Sequence, residues 1–235
     1  MVLNHKIKTL LGLVAIITMA TNCSNEVMEE TPKDGIIRLS LTSEPAIMVD
    51  VETRATQTAD PKDYTIKLSR ETDPLDISRP IIRPAGEYTI TATSKTGVNN
   101  APYYEGSTTF TLNAGEEKDV NIDLGAPKNA QINVSFDDSF TQLYENYNVT
   151  FSDGTHTTSP LITDGTAYFM PSTISYTIQG TAKKNSHVQE IPTNGITGNL
   201  TLEAGKVYPL TIKANPISGY VRIDFGTEDH FDSFD

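Results

Sequence analysis

The stretch Ser107–Leu124, STTFTLNAGEEKDVNIDL, decides how this chain is read, and it has an echo at Gly198–Ala214, GNLTLEAGKVYPLTIKA. In the first copy Thr108, Phe110 and Leu112 alternate with polar residues. The turn Asn113-Ala114-Gly115 follows, and Val120, Ile122 and Leu124 alternate again. In the second copy Leu200, Leu202, Ala204-Gly205, Leu210 and Ile212 hold the same places. Period-two alternation on both sides of a glycine-bearing turn predicts a β-hairpin with one buried face. Its repetition predicts a tandem of related β-domains.

Working outward, three more strand patterns recur in the same order. Ile37, Leu39 and Leu41 match Ile132, Val134 and Phe136. Tyr64, Ile66 and Leu68 match Tyr147, Val149 and Phe151, and Tyr88, Ile90 and Ala92 match Tyr176, Ile178 and Gly180. The spacing between copies drifts, which puts the length changes in loops, where they are tolerated. Gly125-Ala126-Pro127 is the natural junction. The copies differ most after their first strands. The first has the long segment Glu44–Lys62. The second has Asp137–Asn146, where Phe140, Leu143, Tyr144 and Tyr147 are spaced for one short helix capped by Asp138 or Ser139. Further short strands are expected at Ser159–Ile162 and Thr166–Met170, and a last one at Gly219–Phe225. Short strands at regular spacing with almost no helix predict an all-β chain. Its two tandem β-sandwiches, immunoglobulin-like or transthyretin-like, span 35–125 and 126–226, with an acidic tail at 227–235.

The 235 residues carry a formal charge of -12, which argues against nucleic acid or an anionic lipid surface as partner. A single cysteine, Cys23, leaves no intramolecular disulfide and no thiolate-built structural zinc site. Residues 1–22 read as a secretory signal: Lys6 and Lys8 precede the apolar run Leu10–Ala20, which is too short to span a bilayer stably. Cys23 stands where a bacterial lipoprotein signal is cut and the new N-terminal residue acylated, so the membrane partner would be reached through lipid. Residues 23–34 read as a polar, acidic tether.

The chemistry-bearing side chains are sparse. His156, His187 and His230 lie in polar or acidic stretches, and no G-x-S-x-G elbow, H-E-x-x-H or P-loop is present, so no catalytic residues and no enzyme activity are expected. The carboxylates Asp224, Glu228, Asp229, Asp232 and Asp235 fit no EF-hand spacing, so neither a metal nor another cofactor is expected. Tyr103 and Tyr104 are candidates for binding, since a tyrosine can stack on a sugar or anchor a protein interface. Alternatively one packs inward and the other covers the junction. Arg54, in Glu-Thr-Arg-Ala, is either an exposed loop arginine or a processing site.

Pro-Ala-Gly-Glu-Tyr-Thr-Ile-Thr-Ala (84–92), Pro-Tyr-Tyr-Glu-Gly-Ser (102–107), Phe-Thr-Leu-Asn-Ala-Gly (110–115) and the lipoprotein start together resemble one family. It is the Bacteroidetes surface lipoproteins with a domain of unknown function, labelled cell-adhesion or fimbrillin-like proteins. The loosened box Met19–Cys23 and the acidic residues after it are similar to the anchoring and surface-export signals of such lipoproteins. The resemblance implies a lipid-anchored, surface-exposed outer-membrane protein that adheres to or binds a surface protein or glycan. It leaves two alternatives: a self-assembling pilus subunit processed at Arg54, as the Thr-Arg-Ala context resembles fimbrillin-type pilins, or a glycan-capturing accessory lipoprotein.

Overall fold

The computed structural model describes residues 33–49, 51–184, 186–215 and 220–225, all within one compact unit. Cys23, the signal and tether ahead of Lys33, and the acidic tail lie outside the described residues. In chain order the strands are β1 (Asp34–Ser43), β2 (Ile47–Met48), β3 (Gln57–Ala59), β4 (Tyr64–Leu68), β5 (Ile81–Pro84), β6 (Gly86–Ser94), β7 (Glu105–Leu112) and β8 (Glu117–Asp123). The second half continues with β9 (Ala130–Phe136), helix α1 (Asp138–Thr141), β10 (Tyr144–Ser152), β11 (Gly165–Phe169), β12 (Thr173–Ala182), β13 (Ile196–Thr201), β14 (Lys206–Ala214) and β15 (Val221–Phe225).

The recurring sequence patterns take recurring places in the sheets. The first strand of each half lies parallel to the strand that follows its Gly-bearing turn: β1 beside β8 with Ile37 opposite Lys118, and β9 beside β14 with Ile132 opposite Tyr208. An antiparallel neighbour, β5 or β11, flanks that first strand. The remaining strands form three-stranded antiparallel sheets, β4-β6-β7 and β10-β12-β13. Side chains from two sheets meet in each core. Ile37, Leu41, Ile66, Ile90, Leu112 and Ile122 belong to one, and Ile132, Phe151, Phe169, Ile178, Leu210 and Ile212 to the other. At roughly 1.5–3 kcal/mol per fully buried large apolar side chain, these rows are the main stabilising term.

The stretch expected as a hairpin is an arch. β7 pairs with β6 and β8 with β1, so the turn at Asn113–Gly115 carries the chain from one sheet to the other. β13 and β14 repeat the crossing. Alternation reports only that each strand buries one face. Two strands that close a core from opposite sides carry the same pattern as two that pair.

The arches are sealed differently. In the first half β7 closes on the outer edge of β8: Thr108 Oγ1 donates to the Asn121 carbonyl at 2.9 Å. A Cβ on Gly106 would sit 2.4 Å from the Asp123 carbonyl oxygen, so only glycine permits this approach. In the second half the outer edge of β14 takes β15 over Leu210–Ala214 and β2 over Lys206–Val207. Pro209, which lacks an N–H, falls in the gap between these partners.

Helix α1 begins one residue earlier than expected. Asp137, the first residue past β9, is the cap and accepts the Ser139 N–H at 2.8 Å. Of the expected helical face only Phe140 is helical and buried; Leu143 follows it, and Tyr144 and Tyr147 belong to β10. The last strand starts at Val221 and the stretch at Thr166 is β11, while the expected strand at Ser159–Ile162 is reduced to a bridge between Leu161 and Val149.

Candidate functional site

The polar side chains singled out in the sequence gather where the two halves meet. Asn129, just past Gly125-Ala126-Pro127, is 2% exposed. Its amide nitrogen donates to the carbonyls of Val98 at 2.6 Å and Ala101 at 2.8 Å, and its side-chain oxygen accepts the Tyr103 N–H at 3.0 Å. Its main-chain carbonyl accepts the Gly205 N–H at 2.9 Å. One buried asparagine thus uses both side-chain donors and its side-chain oxygen to bind a loop of the first half to the start of the second.

Tyr103 is held here through its main chain and Tyr104 through its side chain. The main chain of Tyr103 is bonded on both sides, since its carbonyl also accepts the Lys128 N–H at 2.7 Å. The Tyr104 ring stands edge-on to Tyr64 at 6.5 Å between centroids, packed against the first core. Its hydroxyl donates to the Glu44 carbonyl at 3.1 Å, and burial pushes its phenol pKa up, with nearby Tyr168 adding to the rise.

Arg54 is not a free loop arginine. The segment after β1 crosses to the second half, where β2 pairs parallel with β14. The N–H groups of Ile47 and Val49 donate to Gly205 and Val207 at 3.0 and 3.1 Å, and Lys206 Nζ reaches the Val51 carbonyl at 2.9 Å. Arg54 closes this strap by donating to the Gly205 carbonyl at 3.0 Å. Gly205 therefore holds the strap with its carbonyl and Asn129 with its N–H. Met48, Val49 and Val51 remain exposed on the strap.

A second feature lies in the second half, beside β15 at the edge of the β14 sheet. A cleft of about 260 Å³ is lined by Tyr144, Glu190, Pro192, Ile196, Tyr220 and Val221. The Tyr144 hydroxyl donates to the Gln189 carbonyl at 2.7 Å, fixing the loop that forms one wall. Tyr220 is half exposed at the rim. Sequence reading missed this cleft because Tyr144 looked helical and Tyr220 stood outside any motif. It missed Asn129 as well, whose one signal was its place just after the junction.

Of the three candidate histidines His156 and His187 are described, while His230 lies outside the described residues. His156 packs beside Phe169 at 5.6 Å, in a turn where Asp153 accepts the N–H groups of Thr155 and His156. His187 takes a left-handed backbone, φ 54. Asp224 bonds Lys213 and Arg222; burial pushes its carboxyl pKa up, but these cations hold it below the ordinary value. Among the described residues no group of three or more histidines, cysteines and carboxylates could hold a metal.

The family model described as a domain of unknown function (DUF4493) matches residues 33–235. The curated proteins give no match. Among solved structures, a Bacteroides fragilis protein provisionally named a cell adhesion protein is 12% identical, with a TM-score of 0.43 over 81% of this chain and 96% of that one. A Bacteroides thetaiotaomicron protein provisionally named an adhesin is 10% identical, with a TM-score of 0.36 over 82% of this chain and 96% of that one. The Bacillus anthracis TIE protein is 11% identical, with a TM-score of 0.26 over 74% of this chain and 33% of that one.

Proposed function

This chain belongs to the DUF4493 family, and from that premise we propose a non-catalytic, lipid-anchored cell-surface protein that adheres to or binds a partner. We read each half as a β-sandwich of the immunoglobulin-like or transthyretin-like kind. Cys23 is the lipid-bearing residue of the reading, and the outer membrane its location. One observation carries the binding role: the hydrogen bonds made by the polar side chains at the junction go to the chain's own backbone, and among the described residues Arg54 Nε alone is left buried and without a partner. Asn129, Tyr104 and Arg54 build a support rather than a reaction centre. What is left for a partner is strand faces rich in hydroxyls and amides, and the cleft beside Tyr220.

The alternative of a pilus subunit processed at Arg54 is favoured by the place of β1. Cutting after Arg54 would separate β1 from the rest of the chain. β1 runs between β8 on one side and β3 and β5 on the other, so its loss would open a full-length groove for another strand. The bond from Arg54 to Gly205 opposes this, because a protease would have to lift the strap first. The glycan-capturing alternative is favoured by the cleft, where exposed Tyr220 and the Glu190 carboxylate combine a stacking face with an acceptor for sugar hydroxyls.

Fractionation of cells making the wild type, Cys23→Ala and Arg54→Ala tests the reading, with surface material run unboiled. A single band without a ladder, lost from the membrane fraction only in Cys23→Ala, is expected. A ladder that vanishes in Arg54→Ala would replace the reading with the pilin alternative. Binding on a glycan panel that is lost in Tyr220→Ala but kept in Arg54→Ala would select the glycan alternative.

A further inference from the structure

We propose that a second copy of this chain docks on the outer edge of β13, pairing antiparallel with its own β13 about Asn199. The proposal is independent of what the protein binds.

The other long edges of the three-stranded sheets are covered. Leu75 bonds its N–H to Ile66 beside β4, Leu161 exchanges both backbone bonds with Val149 beside β10, and β7 closes on β8. Among the described residues β13 pairs with β12 alone and carries no hydrogen-bonded strand along its other side, where Ile196 and Thr197 line the cleft with Tyr220 and Val221. The Leu202 N–H bond to Ser172 sets the phase of the ladder. The N–H and C=O groups of Thr197, Asn199 and Thr201 therefore point outward from the sheet edge. Exposed edges are ordinarily blunted by charge, proline or a bulge. Ile196–Thr201, ITGNLT, has no charge and no proline, and its six-residue register is unbroken.

Charge says what covers it. The chain carries -12 overall, so two copies repel over most of their surface. β12 and β13 together contain no ionisable carboxylate or cation, and their exposed face presents Thr173, Ser175, Gln179, Thr197, Asn199 and Thr201. On this strip like copies meet no charged side chain of either strand. The edge is also self-complementary about Asn199. In a two-fold arrangement Asn199 meets Asn199 of the second copy, and Thr197 meets its Thr201. Each pair exchanges both N–H···O bonds and aligns polar amide and hydroxyl side chains.

The experiment places a cysteine at the centre of the proposed axis. In the full chain carrying Cys23→Ser, so that no other thiol is present, Asn199→Cys is compared with the exposed control Thr111→Cys under mild oxidation. Antiparallel hydrogen-bonded partners stand about 5.5 Å apart between Cα atoms, within the disulfide range of about 4.4–6.8 Å. Pairing on the edge raises the local thiol concentration, so Asn199→Cys should form covalent dimer at least about tenfold faster than the control. Adding Thr197→Lys and Thr201→Lys, whose side chains are exposed, should abolish that advantage with an unchanged thermal melt. Equal rates for the two cysteines, or an advantage that survives the two lysines, would overturn the proposal.

Discussion

The ring of Tyr176 lies over Gly198, its partner across the β12–β13 ladder: a Cβ on Gly198 would meet the tyrosine Oη at 2.3 Å and its ring carbons at 2.5 and 2.9 Å. The equivalent pair in the first half is Tyr88 opposite Phe110, two rings stacked at 6.0 Å. The second half thus replaces a pair of stacked rings by one ring folded onto bare backbone. Tyr176 is 2% exposed, within the second core. Gly198→Ala should cost about 1–3 kcal/mol through overpacking, read as a lower urea midpoint with unchanged m-value.

Asn129 is the side chain whose loss should hurt the junction most. Asn129→Ala leaves the Val98 and Ala101 carbonyls and the Tyr103 N–H without their partner. A cost of about 2–4 kcal/mol follows from stranding buried polar groups. Urea denaturation measures it, and a change below the error of the method would mean that water satisfies the site.

Removal of Arg54 should act locally. In Arg54→Ala the strap loses one charged hydrogen bond but keeps its β2–β14 bonds, a loss of about 1 kcal/mol. Hydrogen exchange should show the Ile47 and Val49 amides protected roughly fivefold less, with Ile122 and Ile132 unchanged in the cores. Equal loosening of all four would show that the strap and the cores open together.

Asp224 sets the acid side of the stability profile. Its folded carboxyl is held below the ordinary value, so its contribution is complete above the unfolded value of about 3.9. That contribution disappears as pH falls through the lower folded value. Asp224→Asn should cost about 0.5–1 kcal/mol at pH 7, and the gap to wild type should close as the medium is acidified. A constant gap at all pH values would mean that the loss is one of packing.

The position of most strands along the chain and the internal repeat, though not the order of the strands within the sheets, were legible because each strand buries one face, and alternation records that. Register across the copies was less so. Matching apolar letters aligned Phe110 with Leu200, whereas the ladders set Phe110 against Gly198, each opposite a tyrosine. The arches could not be distinguished from hairpins, since pairing partner leaves no trace in a period of two. β2 was invisible for a different reason: Ile47 and Met48 are a strand only because Lys206 and Val207 lie beside them. The junction residues Tyr103, Tyr104 and Arg54 stood out as side chains, but the partners that define them, Asn129, Glu44 and Gly205, are distant in sequence.

The parallel pairs β1–β8 and β9–β14 join the first strand of each half to one made more than 60 residues later. Such closure is slow, because a long loop must be ordered before its contacts form. The strap extends the delay, since Ile47 waits for Lys206, which is made much later. While the chain is being synthesised, Met48, Val49 and Val51 belong to a segment with no sheet to join. The nascent first half therefore carries an unpaired segment whose Ile47 and Val49 N–H groups find acceptors only once β14 is in place, and whose apolar side chains Met48, Val49 and Val51 stay exposed even then.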